Sequence, residues 1–217
     1  MSGVWQILAK DLRIEFRSKT GLGSLFVLGL LVLLIFQFAL PEKPTPESAA
    51  AALWISFVFA GTLGAQRTFL LERENLALDG LKTAPIDAAS IFLAKMLGTL
   101  VTLTILQAVV VPLTALFTGI IPPAPFGLMG VCLLGNVGFS ALATLFASIS
   151  VASRAREVIL PLLIFPLLVP LVISSVKASA VVLGAPGDAV VWVRVLVAFD
   201  VVFSVAGWLL FEQVLRE

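Results

Sequence analysis

Few residues in this 217-residue chain have side chains suited to catalysis or metal binding. Histidine is absent, which excludes a Ser-His-Asp triad and an imidazole metal site. The single cysteine, Cys132, stands in an apolar run without the spacing of a metal-ligand set. The stretch Gly80-Leu81-Lys82-Thr83 lacks the glycine spacing of a phosphate-binding loop. The sequence therefore predicts that the chain is not an enzyme, so that any ATP hydrolysis resides in a partner.

Asp200 is the one acidic residue well inside an apolar stretch, about six residues or ~9 Å along a helix from Arg194. An acid inside a membrane helix is a candidate functional residue, because burying its charge in lipid is costly. A structural hydrogen bond to another helix explains Asp200 equally well. A proton relay is poorly supported, because no second buried acid or base accompanies it.

Two rows of small or polar residues recur at every fourth position, as on one face of a helix. The rows are Ala52, Ser56, Ala60 and Gly64, and Asn136, Ser140, Thr144 and Ser148. Small residues let membrane helices approach closely, and polar ones hydrogen-bond between helices. Packing within one subunit is the favoured interpretation of both rows. A row lining a translocation path, or a dimer contact, is the alternative.

The segment 67–95 combines a charged cluster with leucines and a proline. Its distinctive residues are Glu72, Arg73, Glu74, Leu78, Leu81 and Pro85. A helix here would be too short and too charged to span a bilayer. It is expected to lie on the membrane surface or to dock onto a cytosolic partner, and composition does not choose between the two.

The elements that position these residues follow from composition, with 60% hydrophobic and 12% charged residues. A soluble domain of this length needs a larger polar surface, so the apolar residues must face lipid. The sequence predicts an all-α membrane protein with six transmembrane helices, at 22–40, 49–65, 96–121, 126–150, 158–176 and 195–211. Prolines 122, 123 and 125 separate the third helix from the fourth. The whole chain is predicted to be one permease-like domain.

The fifth predicted span carries Pro161, Pro166 and Pro170. Each proline removes a backbone hydrogen bond within a helix. The pattern favours a kinked or flexing helix whose freed carbonyl groups are buried against protein.

The distribution of basic residues predicts the orientation. With the N-terminus inside, only Lys43, Lys177 and Arg194 of the 14 basic residues fall on the outer side, which leaves 11 inside. Both termini are therefore expected to be cytoplasmic. The net charge of +1 gives no indication of a nucleic-acid partner.

The first 20 residues predict a helix with two distinct faces. The apolar face comprises Trp5, Leu8, Leu12 and Phe16, and the cationic face comprises Lys10, Arg13 and Arg17. Such a helix is expected to lie in the membrane interface, with its cations toward lipid phosphates. An ordinary positively charged flank of the first span is the alternative.

The cluster Glu72-Arg73-Glu74, with Leu78, Leu81 and Pro85 after it, resembles the cytoplasmic element of ABC-2 exporter permeases. More narrowly, the chain resembles the CcmB family, the haem exporter protein B of cytochrome c maturation. The resemblance covers nearly the whole length and includes further stretches. These are Lys10-Asp11-Leu12-Arg13-x-Glu15-x-Arg17, the loop ending Ala84-Pro85, REVILPLLIFPLLVPLVI at 156–173, and Ala198-Phe199-Asp200 with Phe211-Glu212. The proline-spaced stretch is the most distinctive.

The resemblance implies a six-span permease in the bacterial inner membrane that pairs with a cytosolic ATPase, CcmA. It also implies CcmC-like and CcmD-like membrane subunits, a periplasmic haem chaperone like CcmE, and a possible second copy of the chain. The coupled step would be haem export or the release of the haem-loaded chaperone, with haem as the cargo of the complex and no cofactor held by this chain. The 72–85 helix and the N-terminal helix would contact the ATPase.

Two other functions remain open at this point. An ABC-2 permease could export a lipid, a glycan or a drug, since a fold does not fix its cargo. A secondary transporter or a passive scaffold is an alternative of another class. The lack of paired intramembrane charges and of a visible inverted repeat disfavours the secondary transporter.

Overall fold

The computed structural model describes residues 2–17, 19–39, 43–74, 87–151 and 156–216, and all their regular secondary structure is helical. The helices of these ranges are α1 (Ser2–Arg17), α2 (Lys19–Ala39), α3 (Pro46–Glu74), α4 (Ala88–Thr118), α5 (Pro125–Val151), α6 (Arg156–Val182) and α7 (Ala189–Arg216). Among the described residues, five helices, α3 to α7, are long and apolar enough to cross a membrane. The apolar part of α2, Gly23–Ala39, is shorter. The chain is an all-α membrane protein, and a sixth crossing by α2 stays a prediction.

The ends of α4 show how the sequence sets the limits of a helix. The carboxylate of Asp87 caps the first turn by accepting hydrogen bonds from Ser90 N at 3.0 Å and Ser90 Oγ at 2.7 Å. At the other end Gly119 adopts φ 69°, and its N–H donates to the Ala115 carbonyl at 2.9 Å. Glycine occupies such a left-handed position without steric cost. This helix begins at Ala88, earlier than the predicted start of the third span at residue 96.

The centre of the bundle is α5, which packs against α3, α4, α6 and α7. The Trp54 ring of α3 packs edge-on against Phe57 of the same helix, with ring centroids 5.2 Å apart. Phe57 in turn packs edge-on against Phe139 of α5, with ring centroids 5.4 Å apart. Gly135 makes this approach possible, because a Cβ atom there would collide with the Trp54 ring. The aromatic side chains of α3 thus pack directly onto the backbone of α5.

A second apolar cluster joins α1, α4, α5 and α7 near the α4 N-terminus. Ile7 of α1 packs here with Ile91 and Phe92 of α4. The Phe92 ring lies 5.6 Å from the ring of Phe211, and a Cβ at Gly207 would collide with it. This cluster attaches α1 to the bundle at the end that the charge distribution predicts to be cytoplasmic.

Candidate functional site

Of the predicted cytoplasmic segment 67–95, the structure describes residues 67–74 and 87–95 but not the residues between them. Glu72, Arg73 and Glu74 lie in the last turn of α3. The predicted residues Leu78, Leu81 and Pro85 fall outside the described residues. The described chain resumes at Asp87, where the hydrogen bonds from Ser90 hold the pKa of this exposed carboxyl below its usual range. The capping carboxylate therefore stays charged at the positive end of the α4 dipole.

The N-terminal helix α1 is fixed against α4 by a stripe of residues at helical spacing. Ile7 and Leu8 are buried, and Val4 packs partly buried against the same cluster. The sequence grouped Leu8 with Trp5 and Phe16 on one apolar face, and the structure buries Leu8 while the two aromatic side chains are exposed. Periodicity within α1 locates an apolar face, but the contact with α4 decides which part of that face is buried.

The remaining faces of α1 are exposed. Trp5 is 65% exposed and Phe16 is 52% exposed. The cations Lys10, Arg13 and Arg17 are exposed as well, on another side of the helix. The docked helix therefore presents an aromatic and a cationic surface outward, which is the arrangement that an interfacial helix needs.

An ion pair links α1 to α4 beside this contact. Lys95 Nζ lies 2.7 Å from Asp11 Oδ2, and its side chain is only 5% exposed. Lys10 Nζ lies 3.1 Å from the other oxygen of the same carboxylate. The Lys95 ammonium is buried and the Asp11 carboxylate is 20% exposed, so the ion pair compensates a buried positive charge at the edge of the bundle. The pair thus holds α1 in a defined position on α4.

The sequence analysis missed this pair, although two signals for it exist. Asp11 lies at the i+3 and i+4 positions of the buried Leu8 and Ile7, so an acid interrupts the stripe that faces α4. Lys95 stands in an otherwise apolar stretch of α4. It was counted only as an inside-facing charge.

Asp200 lies deep in the bundle against α5. Its side chain is 7% exposed, and neither carboxylate oxygen has a hydrogen-bond partner among the described residues. A Cβ at Gly138 would fall 2.5 Å from Oδ1 and 2.8 Å from Leu171 Cδ1. The structural explanation of Asp200 requires a hydrogen bond from its carboxylate to another helix, and the described part of the chain contains no such bond. A functional role for Asp200 stays a prediction.

Asn136 faces the opposite side of α5, toward α4. Its Nδ2 donates to Thr104 Oγ1 at 3.3 Å, while its Oδ1 has no partner among the described residues. Gln107 lies about one turn further along α4 and is 2% exposed. Neither its Oε1 nor its Nε2 has a hydrogen-bond partner in the described part of the chain. The sequence analysis missed Gln107, although an uncharged amide in an apolar helix was a visible signal.

These two amides line the inner end of a cleft between α4 and α5. The cleft has a volume of about 260 Å³ and opens along one side of the bundle. Its outer end is formed by Pro122 and Pro125, and its walls include Val111, Leu128 and Met129. The arrangement can hold an apolar molecule and offer it hydrogen bonds at one end.

The two small or polar rows lie inside the chain as far as the structure describes them. Ala52, Ser56 and Ala60 are buried, and so are Asn136, Ser140 and Thr144 of the second row, while the Ser148 side chain is outside the description. A Cβ on Gly64 would come within 2.9 Å of the Leu25 side chain. Packing within one subunit accounts for the first row, because its small side chains allow α2 to pack closely against α3.

The proline-containing span is one continuous helix, α6, which runs through Pro161, Pro166 and Pro170. The side chains of Pro166 and Pro170 are exposed, so this face points away from the bundle. Ser174 Oγ donates to the Pro170 carbonyl at 2.7 Å, a bond that often accompanies bending of a helix. A kink or a flexing point in α6 stays a prediction.

Known proteins are similar in sequence to most of the chain. The CcmB protein family model matches residues 2–215. Heme exporter protein B of Rhodobacter capsulatus is 33% identical over 85% of this chain and 84% of its own length. The Paracoccus denitrificans protein of the same name is 31% identical over 83% of each chain. The Bradyrhizobium diazoefficiens one is 24% identical over 95% of this chain and 94% of its own. The chain belongs to the CcmB protein family.

Proposed function

We propose that this chain is the membrane permease subunit of a haem exporter that serves cytochrome c biogenesis. The observation that carries the proposal is the family match over residues 2–215, together with relatives named Heme exporter protein B. A bundle whose described residues include five helices of membrane-spanning length fits a permease. Haem is the cargo of the complex.

ATP hydrolysis belongs to a partner subunit in this proposal, a cytosolic ATPase like CcmA. We place its docking site at residues 72–85, with α1 beside it. Support comes from the connections at this end: α3 ends in Glu72-Arg73-Glu74, and α4 starts at the Asp87 cap. The Asp11–Lys95 pair joins α1 to the same helix. A push on the α3–α4 connection would therefore move α1 and α4 together.

The complete complex contains membrane subunits like CcmC and CcmD, and it delivers haem to a periplasmic chaperone like CcmE. A second copy of the chain would complete the permease. The complex resides in the bacterial inner membrane with both termini of this chain cytoplasmic. The excess of basic residues on the proposed inner side supports this orientation.

A charge reversal tests the docking site. Glu72→Lys with Glu74→Lys should reduce the amount of ATPase that co-purifies with the detergent-solubilised permease, because it inverts the charge of the docking surface. Mass spectrometry of the purified complex identifies and quantifies the partner. The matched control is Glu47→Lys with Asp188→Lys, which makes the same charge change at exposed positions of the opposite end.

Both double variants should unfold within a few degrees of the unchanged protein. Full recovery of an active ATPase with the Glu72 and Glu74 variant would refute the docking site. Absence of any ATPase and of any haem-handling partner from the unchanged complex would refute the function itself. A reporter active only outside the cytoplasm, fused after Pro44 or after Lys82, checks the orientation, and activity after Lys82 contradicts it.

A further inference from the structure

We propose that the cleft between α4 and α5 binds the cargo, with a protonated carboxylic acid of the haem lying against the amides of Gln107 and Asn136. This inference rests on the proposed function, because only that function makes haem the cargo. It assigns to this subunit a contact with the cargo at named residues. The cleft, the unpartnered amides and the absence of charge along its walls carry the argument.

The inner end of the cleft has hydrogen-bonding capacity that the described chain leaves unused. Gln107 offers one donor group and one acceptor, and Asn136 offers an acceptor. Both side chains are at least nine-tenths buried, at 2% and 1% exposure. A buried polar group without a partner destabilises a folded protein, and lipid chains cannot supply the missing bonds. A ligand with a donor and an acceptor removes this cost.

The chemistry of the two amides selects the ligand group. A protonated carboxylic acid has one O–H donor and one carbonyl acceptor, so it can pair with the donor and acceptor of a primary amide. The residues that line the cleft include no charged side chain. A carboxylate would therefore be buried without a counter-charge, whereas the neutral acid is not penalised in this way.

The position and the walls of the cleft select the rest of the ligand. Gln107 lies 11 residues before the α4 C-terminus at Thr118, and Asn136 lies 11 residues after the α5 start at Pro125, so each is about 16 Å from its helix end. That distance is about half the thickness of the hydrocarbon core. The walls above the amides are apolar, and one side of the cleft is open. A planar apolar ring system can lie there with its edge in the lipid.

The test uses the full chain in lipid nanodiscs and titrates it with haemin and with haemin dimethyl ester. We expect haemin to bind and the diester, which has no acid group, to bind about tenfold more weakly. Gln107→Leu should also weaken haemin binding about tenfold. Gln37→Leu is the matched control, because the Gln37 Oε1 atom in α2 is also buried and unpartnered but does not line the cleft.

A second pair of variants tests the cleft by filling it. Ala108→Trp occupies the space between the two helices, whereas Ala198→Trp places the same side chain at an exposed position of α7. Ala108→Trp should abolish saturable haemin binding, because the indole takes up the space that the ring system would occupy, whereas Ala198→Trp should leave the binding unchanged.

Three outcomes would overturn the proposal. These are equal binding of haemin and its diester, undiminished binding by the Gln107→Leu variant, and undiminished binding by the Ala108→Trp variant. The first outcome would mean an apolar site that recognises no acid. Each is separable from failure of the proposed function, which shows as loss of the ATPase and haem-handling partners from the purified unchanged complex.

Discussion

Two helices of similar apolar character occupy opposite environments in this bundle. The apolar window of α5 is 72% buried inside the chain, and that of α7 is only 17% buried. Their mean hydropathies over these windows are close, at 1.8 and 2.2. The difference lies in side-chain size: α5 has two glycines at close contacts, Gly135 and Gly138, whereas α7 has one, Gly207, and exposes valines such as Val201 and Val202. Hydropathy identifies both as membrane helices, and small residues decide which one lies at the centre.

The largest expected effect comes from adding volume to α5. Gly135→Leu should destabilise the protein by about 3 kcal/mol, because even a Cβ atom collides with the buried Trp54 ring. Gly130→Leu is the matched control on the same helix, since a Cβ there meets nothing within 4 Å. Unfolding in mixed micelles with increasing denaturing detergent measures both. Equal stability of the two variants would contradict the central position of α5.

A smaller effect is expected when the same side chain is truncated on each helix. Leu142 of α5 is fully buried, and Leu209 of α7 is 60% exposed. Leu142→Ala should cost about 2 kcal/mol, because it leaves a cavity that the packed neighbours cannot fill. Leu209→Ala should change the stability by less than about 0.5 kcal/mol, since lipid refills the space. The unfolding assay compares them, and a comparable loss for Leu209 would show that a protein surface covers α7.

The smallest effect concerns one hydrogen bond beside α5. Trp54 Nε1 donates to Ser179 Oγ of α6 at 2.8 Å, in a fully buried position. Ser179→Ala should cost about 0.6 kcal/mol, the average for such bonds between membrane helices. Trp208→Phe on α7 removes an indole N–H from an exposed side chain and should cost less. Tryptophan fluorescence of the Ser179 variant checks that Trp54 stays buried.

The sequence predicted much of the fold, and its errors have physical causes. The apolar segments are visible because each must satisfy its backbone within lipid. The third span was predicted to begin at Met96, directly after the charged Lys95. The helix that contains this span begins at Ala88 with the Asp87 cap, and Lys95 within it pairs with Asp11, 84 residues away in sequence. No local pattern contains such a contact.

The candidate site was less predictable than the fold. Asn136 was identified because a polar row is visible within one helix. Gln107 was missed because its meaning depends on how α4 and α5 align across the cleft. Leu8 is buried beside Gly98 of α4, so its burial likewise depends on the contact between α1 and α4. A residue whose role depends on how two helices align can be identified only from the structure.

The Asp11–Lys95 pair has a consequence for how the chain enters the membrane. Because α1 is synthesised before α4, the Asp11 carboxylate is available as a partner by the time Lys95 leaves the ribosome. We expect insertion of α4 at its full length to depend on α1. A chain that starts at Lys19 should insert α4 from Met96 onward and leave Ser90 in water. A cysteine at position 90, labelled by a membrane-impermeant maleimide in inside-out vesicles, would show this shift, and equal labelling with and without α1 would contradict it.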